Sequence, residues 1–467
     1  MKKAVVSVLA SALALAASAR TFEVAAWRGE TVAARVPDYA ELGPAPDGAG
    51  MTVRVGVLKS VKYAPDPESM QRLEAFDRVV WGSSEPGPRV VEVSVAADAK
   101  PGEYKVGMMT VRVVDRVMPP PKDWKYYLDL WQHPWATART AGVKPFSRAH
   151  YAAMRPVYEL LATAGQKTIT VPIVDLPWDH QCFDPYHSMI DDPGFKLFDE
   201  YVEFCRSCGL GPDISCYSLC PWTLGKTIDE AELERRWGAK FDRFVAHVRE
   251  KGWFENTLMA MDERKPEDVA KVAAFVQRHA PGMRISMAGN RKPSDFKGIK
   301  IDVYSQVLWA NCMTPEFLAE AAERAKNGMV TTHYVCCSPR RPNTFLESAA
   351  GEAFWCGAAP AFLGLDGFLR WAWNSWPQDP CGDASYGNWR AGDTFLCYPG
   401  GEPSWRFLEL RNGIMAAEKV RVLREAGQLD AAAFAKLAKS YDVKAANDGM
   451  CKYVAVRKAT LDFVNAR

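Results

Sequence analysis

The chain has 467 residues, and its 58 lysines and arginines nearly balance its 56 aspartates and glutamates. Nucleic acids and anionic membranes are bound mainly through excess positive charge, so a balanced chain argues against both as main partners. The apolar content of 48% and the charged content of 24% are ordinary values for globular proteins. We therefore expect a folded protein whose partner is neutral or only modestly charged.

Residues 1–19 predict a signal peptide. Lys2 and Lys3 form a basic start, residues 4–15 are apolar, and small residues at 17–19 provide a cleavage site. The apolar run is too short to cross a membrane, and no later segment offers about 18 uninterrupted apolar residues. We expect an exported protein, periplasmic or extracellular, that has no membrane span.

Residues 20–118 predict an antiparallel β-sandwich domain. Valine-rich segments such as 52–57 and 90–95 alternate apolar and polar side chains, and turn residues separate them. The three prolines at 119–121 stiffen the chain and indicate a linker. A domain boundary is therefore expected near residue 118.

Residues 119–425 predict a (β/α)8 TIM-type barrel, because candidate strands alternate with helices. An open, doubly wound sheet usually carries a glycine-rich phosphate loop after its first strand, whereas His133-Pro134-Trp135 stands here. Residues 426–467 predict a helical segment that packs on the barrel. The eight predicted strands are 126–132, 168–174, 213–217, 258–261, 284–288, 302–305, 329–335 and 367–373.

Side chains at the carboxyl ends of the barrel strands are the candidates for a binding site, because barrel enzymes bind their substrates there. The residues at these ends are mostly acidic, amide or aromatic, which suits a sugar pocket better than a phosphate pocket. For any single tryptophan, stacking on a sugar and packing in the core are equally good interpretations. The candidate substrate-binding residues are His133, Asp175, Trp178, Tyr304, Tyr334, Trp371, Trp373 and Asn374.

The adjacent acids Asp262 and Glu263 follow the fourth predicted strand and are the candidate catalytic residues. Ordinary glycosidases use two carboxylates roughly 5–10 Å apart, whereas neighbouring Cα atoms are about 3.8 Å apart. Adjacency suits substrate assistance, in which the carbonyl oxygen of a 2-acetamido group attacks the anomeric carbon. Glu263 would protonate the leaving oxygen and Asp262 would orient the acetamido N–H.

Other interpretations of the same residues remain open. The acidic pair could simply favour the dipole of the following helix. Glu263 could instead work with Asp175 or Asp302 in another exo-glycosidase, or the protein could bind surface sugars without catalysis. No spacing typical of a metal site is present, and we expect no cofactor. The 12 cysteines predict buried thiols or one or two disulfide bridges.

Several segments between residues 333 and 413 resemble the catalytic domain of glycoside hydrolase family 123, and the likeness extends over about residues 120–425. The segments are 342–345, 364–369, 371–377, 379–380, 392–393, 398–400 and 411–413. The resemblance implies a retaining β-N-acetylgalactosaminidase with an adjacent Asp-Glu pair, which falls on Asp262 and Glu263. Family members often continue the pair with proline, whereas Arg264 and Lys265 intervene before Pro266 here.

The resemblance makes the expected substrate a glycan or glycolipid that ends in β-linked N-acetylgalactosamine. By position, Tyr304 and Tyr334 are candidates to hydrogen-bond the acetamido carbonyl, and Trp371 or Trp373 to form the floor of the pocket. The sequence gives no indication of the oligomeric state.

Overall fold

The computed structural model describes residues 22–37, 40–66, 68–175, 184–217, 219 and 229–466. The predicted signal peptide and Trp178 lie outside the described residues. Internal contacts divide the chain into two compact units. The first extends to Val57 and resumes over Trp81–Pro119, and the second comprises Leu58–Val80 and Pro120–Ala466. The sequence analysis placed Leu58–Val80 with the first domain.

The N-terminal strands form two β-sheets with strand orders β1-β7-β6 and β2-β5-β3-β4, and most of β4 and the end of β3 are residues of the second unit. Val24 and Val111 from one sheet and Val91 and Val93 from the other contribute to one buried core, as alternating valine-rich strands favour. The pair β1–β7 is parallel, which the sequence analysis did not anticipate. The strands are β1 (Phe22–Arg28), β2 (Thr31–Val36), β3 (Met51–Tyr63), β4 (Leu73–Trp81), β5 (Arg89–Val95), β6 (Gly102–Val106) and β7 (Met109–Val117).

The second unit contains a sheet of eight parallel strands in the order β8-β15-β14-β13-β12-β11-β10-β9. Neighbours in the chain are neighbours in the sheet, which is the order of a (β/α)8 barrel. The predicted fold class is confirmed, and each of the eight predicted strands is present. They are β8 (Tyr127–Leu130), β9 (Thr168–Pro172), β10 (Asp213–Tyr217), β11 (Thr257–Asp262), β12 (Arg284–Gly289), β13 (Val303–Val307), β14 (Val330–Tyr334) and β15 (Gly367–Arg370).

Glutamine side chains supply much of the hydrogen bonding between the first and last strands of this order, β8 and β9. The Gln166 Oε1 accepts from the Leu130 N–H at 3.0 Å, and its Nε2 donates to the Thr168 carbonyl at 2.9 Å. The Gln132 Oε1 accepts from the Thr170 N–H at 2.8 Å. Buried backbone groups need partners, so these amides close the barrel where the ladder is incomplete.

The helices of the second unit follow the barrel strands, and three further helices follow the last long one. A side-chain cap starts several of them, as at Thr314, whose Oγ1 accepts from the Phe317 N–H at 3.3 Å. The helices are α1 (Pro134–Ala141), α2 (Arg148–Ala162), α3 (Lys196–Ser207), α4 (Glu230–Glu250), α5 (Pro266–His279), α6 (Pro315–Lys326), α7 (Glu352–Leu363), α8 (Trp405–Glu425), α9 (Ala431–Ala438), α10 (Val443–Asn447) and α11 (Tyr453–Val464).

The C-terminal helices α9–α11 contact helices α7 and α8. The ring of Tyr441 stacks on Phe362 with centroids 4.2 Å apart, and Arg457 donates to Glu409 at 2.5 Å. Within the described part of the chain, no helix combines the length and the apolar character that crossing a membrane requires.

Candidate active site

Strand β11 places the two adjacent acids at the carboxyl end of the barrel. Asp262 is its last residue and pairs with Ala288 of β12, and the N–H of Glu263 donates to the Ala288 carbonyl at 2.9 Å. Glu263 has a φ of 41°. This left-handed conformation costs a residue with a side chain roughly 1–3 kcal/mol, and such strain concentrates at functional sites. The chain therefore turns sharply at Glu263, the acid that is predicted to be the proton donor.

Tyr334 connects the acidic pair to the far side of the barrel mouth. It is the last residue of β14, and its hydroxyl donates to the Glu263 Oε1 at 2.5 Å. Burial, followed by the Glu263 charge, raises the pKa of Tyr334 far above its ordinary value. The phenol therefore stays protonated and acts as the donor. One carboxylate oxygen of Glu263 is fixed by this bond.

The electrostatics of Asp262 are set by burial and by its neighbour. Burial first, and the Glu263 charge second, raise the pKa of Asp262 well above its ordinary value, while Arg264 opposes the shift. Two close carboxylates do not both ionise readily. We conclude that Asp262 retains its proton to a higher pH than an ordinary aspartate does, because of its burial and of the Glu263 charge.

Apolar side chains surround the acids at this end of the barrel. Ala260 and Ala288 stand beside Asp262 on β11 and β12 and take little space. We call the apolar layer the mouth cluster. Its buried members are Trp131, Tyr217, Ala260, Ala288, Val307, Tyr334, Leu369, Trp371 and Ala372, and Trp309, Cys312, Cys336 and Trp389 pack against it half-buried.

Trp371 is held rigidly within the mouth cluster. Its indole N–H donates to the Asp393 Oδ1 at 3.0 Å, and its ring contacts that of Trp389 with centroids 4.7 Å apart. The same Oδ1 accepts from the buried Arg370 at 2.9 Å. An indole fixed on both its edge and its face gives an aromatic surface of defined orientation. Trp371 and Tyr334 are the two predicted binding residues that the structure brings to the mouth cluster.

Trp373, Asn374 and His133 lie behind this layer. Trp373 is fully buried against Phe407 of α8, with ring centroids 4.8 Å apart. The Asn374 Oδ1 accepts from the His133 N–H at 2.9 Å. Burial lowers the pKa of His133 to about 4, so the ring is neutral, and its Nε2 lies 3.2 Å from the Trp371 carbonyl. These three residues support the loop that carries Trp371.

The structure does not bring Tyr304 or Asp175 to the pair. Tyr304 donates to the Arg291 carbonyl at 2.5 Å. Its neighbours on β13, Val303 and Val307, lie in the barrel interior, so strand alternation turns Tyr304 outward. Asp175 is exposed, 3.6 Å from His187.

Asp302 also lies away from the pair. It precedes β13 and so stands at the amino end of the barrel, where it accepts from the Ile285 N–H at 3.0 Å. It cannot act together with Glu263 at the other end.

Trp389 and Asp393 orient Trp371, although the sequence did not indicate them as site residues. Both lie in the long segment between β15 and β16 (Cys397–Tyr398), to which strand periodicity assigns no position. The available signal was the resemblance of the segment 392–393 to family 123. Among the residues that the structure describes, no group of three histidine, cysteine or acidic side chains is placed to hold a metal ion.

Comparisons with known proteins agree with the barrel fold. The family model for the glycoside hydrolase 123 catalytic domain matches residues 131–423, more than half of the chain. A family 123 glycoside hydrolase from Clostridium perfringens, described in relation to glycolipid glycan hydrolysis, has a similar structure. The two share 20% identity with a TM-score of 0.78, over 95% of this chain and 94% of that one.

Other solved structures are more distant. The endo-β-1,4-mannanase of Thermotoga petrophila gives a TM-score of 0.38 at 11% identity, over 66% of this chain and 79% of that one. A family 5 mannosidase from Rhizomucor miehei gives 0.37 at 12% identity, over 64% and 95%. No curated protein matches the sequence.

Proposed function

The chain belongs to glycoside hydrolase family 123, and from that premise we propose that it releases terminal β-linked N-acetylgalactosamine with retention of configuration. The observation that carries the proposal is the adjacency of Asp262 and Glu263 at the mouth of the barrel, with Tyr334 bound to Glu263. A glycosidase with two independent carboxylates needs them on opposite sides of the bond that is cut. Adjacent acids fit a reaction in which the substrate supplies its own nucleophile.

In the first step, the acetamido carbonyl oxygen forms a bond to the anomeric carbon while the bond to the leaving oxygen breaks. Glu263 gives its proton to that oxygen. Asp262 accepts a hydrogen bond from the acetamido N–H and balances the positive charge that develops on the oxazolinium-like ring. Water then attacks the anomeric carbon while the bond from that carbon to the acetamido oxygen breaks, and Glu263 accepts a proton from the water.

The proton that Asp262 retains supports this division of roles. An N–H donor beside Asp262 favours the charged form of that carboxyl, so substrate binding moves the proton to Glu263, where it is needed. The Tyr334 hydroxyl occupies one oxygen of Glu263, which leaves the other to carry the transferable proton. Electrostatics and hydrogen bonding therefore select the same donor.

The mouth cluster supports a small neutral substrate. The fixed Trp371 offers a face for the sugar ring, and Ala260 and Ala288 leave space beside the acids for an acetamido methyl group. The clostridial enzyme is described as acting on glycolipid glycans. We propose that the chain here acts on such glycans or glycolipids after export through the predicted signal peptide.

The test is hydrolysis of a panel of aryl β-glycosides with 2-acetamido and 2-hydroxy groups in galacto and gluco forms. We expect turnover of the 2-acetamido galactoside, a first-formed β-anomer by NMR, and competitive inhibition by a thiazoline analogue of the intermediate. Turnover of 2-hydroxy sugars without thiazoline inhibition would rule out substrate assistance. An α-anomer as the first product would rule out retention.

A further inference from the structure

Two neighbouring cysteines, Cys336 and Cys337, lie on the loop that follows Tyr334. Their Sγ atoms are 3.8 Å apart. Cys336 is half-buried against the mouth cluster, and Cys337 is exposed. Both thiols are free, and the loop places them at the rim of the proposed active site.

The backbone of this loop is held firmly, so the two sulfurs stay within reach of each other. Asn343 is fully buried, and its Nδ2 donates to the Cys336 carbonyl at 2.9 Å and to the Pro339 carbonyl at 2.6 Å. The Cys336 N–H donates to the Ser338 carbonyl at 3.1 Å. These bonds fix the carbonyls on both sides of Cys337 and so hold the loop in one conformation before the sulfurs react.

Cys337 is also the more accessible of the two thiols. A hydrogen bond with Cys336 lowers the pKa of Cys337, although burial and the acids Asp393 and Glu263 oppose this shift. The thiolate is the nucleophilic form of cysteine. By contrast, burial raises the pKa of Cys216, which is wholly inaccessible.

We propose that Cys336 and Cys337 are a redox modification site, which a disulfide oxidant closes to a disulfide that slows turnover at the adjacent active site. The Cys337 thiolate attacks one sulfur of the oxidant and displaces its first thiol. Cys336 then loses its proton, attacks the mixed disulfide at Cys337 and displaces the second thiol. Two cysteine thiols are oxidised, and one external disulfide is reduced to two thiols.

The slower turnover follows from the geometry of the ring that a disulfide between Cys336 and Cys337 closes, and it rests on the proposed function. Neighbouring Cα atoms are about 3.8 Å apart, less than the 4.4–6.8 Å usual for bridged cysteines, so closure must turn the intervening peptide. That peptide carries the Cys336 carbonyl held by Asn343. Only Val335 separates Cys336 from Tyr334. A rotation of the peptide between the cysteines therefore shifts Tyr334 and disturbs the hydrogen bond from its hydroxyl to Glu263. The strained ring should reopen readily with a dithiol.

Mass spectrometry tests the modification without reference to activity. The tryptic peptide 327–340 contains Cys336 and Cys337 and no other cysteine. After treatment of the full chain with oxidised glutathione, we expect this peptide to lose two hydrogens and to resist alkylation by iodoacetamide. A peptide that stays reduced, or that carries only glutathione adducts, would overturn the proposal.

Kinetics test the effect on turnover. Oxidation should lower the kcat of the wild type at least fivefold, and dithiothreitol should restore it. Cys337→Ser should not respond to the oxidant, whereas Cys451→Ser, a half-buried thiol in the C-terminal segment, should respond like the wild type. If the disulfide forms but kcat is unchanged, the proposal that the disulfide slows turnover is overturned. Failure of the unmodified enzyme to cleave any glycoside would refute the proposed function while the mass measurement still decides the modification.

Discussion

The two ends of the barrel each contain a tyrosine that donates to a carboxylate. At the amino end, the Tyr127 hydroxyl donates to Asp213 at 2.7 Å, and at the carboxyl end the Tyr334 hydroxyl donates to Glu263 at 2.5 Å. Burial raises the pKa of both tyrosines. The two bonds are the same chemically, yet their neighbours differ.

Asp213 is compensated, because Arg284 pairs with it at 2.8 Å. Glu263 has a second acid, Asp262, beside it and a left-handed backbone. Removing one partner of a buried ion pair destabilises a fold, whereas an acid beside another acid raises a carboxyl pKa in the way that is typical of functional sites. The neighbouring charge, and not the tyrosine bond, therefore distinguishes Asp213 from Glu263, the acid that we propose as the proton donor.

Removing the proton donor should have the largest effect. We expect Glu263→Gln to lower kcat/KM on an aryl 2-acetamido galactoside by roughly 10³-fold, because the amide cannot protonate the leaving oxygen. Asp213→Asn is the matched control, because Asp213 is the carboxylate bound by a tyrosine at the amino end of the barrel. This substitution should reduce thermal stability but leave the kcat of the folded enzyme within about twofold of the wild-type value. Equal losses of kcat in the two variants would refute the contrast between the ends.

Removing the second acid should come next. Asp262→Asn should lower kcat by roughly 10²-fold, since the charge that balances the oxazolinium-like ring is lost. Asp302→Asn serves as the comparison, because Asp302 lies at the amino end. Steady-state kinetics that showed the Asp302 variant as the more impaired would favour a conventional pair of separated carboxylates.

A smaller effect is expected from the tyrosines themselves. Tyr334→Phe should reduce kcat about tenfold, because the fixed oxygen of Glu263 loses a hydrogen bond whose net contribution is roughly 1.5–3 kcal/mol. Tyr127→Phe should instead lower the apparent Tm without changing kcat. Paired measurements of kcat and Tm decide the matter, and the contrast fails if Tyr127→Phe is the slower enzyme.

The smallest effect concerns Asp129, which lies on β8 in the barrel interior. Burial raises its pKa from 3.8 to about 6 despite a hydrogen bond from Thr168. Because the folded-state pKa exceeds the unfolded value, stability is lost as the pH rises from about 4 to 6. Asp129→Asn should therefore raise the apparent Tm at pH 8 by roughly 2 °C, and the gain should vanish near pH 4. A gain that is independent of pH would exclude ionisation of Asp129 as its cause.

Local patterns could predict the strands of the barrel but not the direction of every side chain. The predicted strands place Tyr304 and Tyr334 alike near a carboxyl end, whereas in the structure Tyr304 is the second residue of β13 and Tyr334 is the last residue of β14. Tyr334 reaches Glu263, while Tyr304 bonds to the Arg291 carbonyl, because a strand of five residues gives too short a pattern to fix which face is inward. Trp371 and Trp373 both follow β15, and only Trp371 lies in the mouth cluster.

The sequence by itself determined the alternation of strands and helices, the valine-rich β region and the adjacency of Asp262 and Glu263, since these are properties of short stretches of chain. Only the tertiary structure decided which groups meet the acids. Tyr334 lies 71 positions away from Glu263, and Asp393 orients Trp371 across a long irregular segment. Closing the barrel brings distant residues to one rim, and contacts of that kind leave no periodic pattern in the chain.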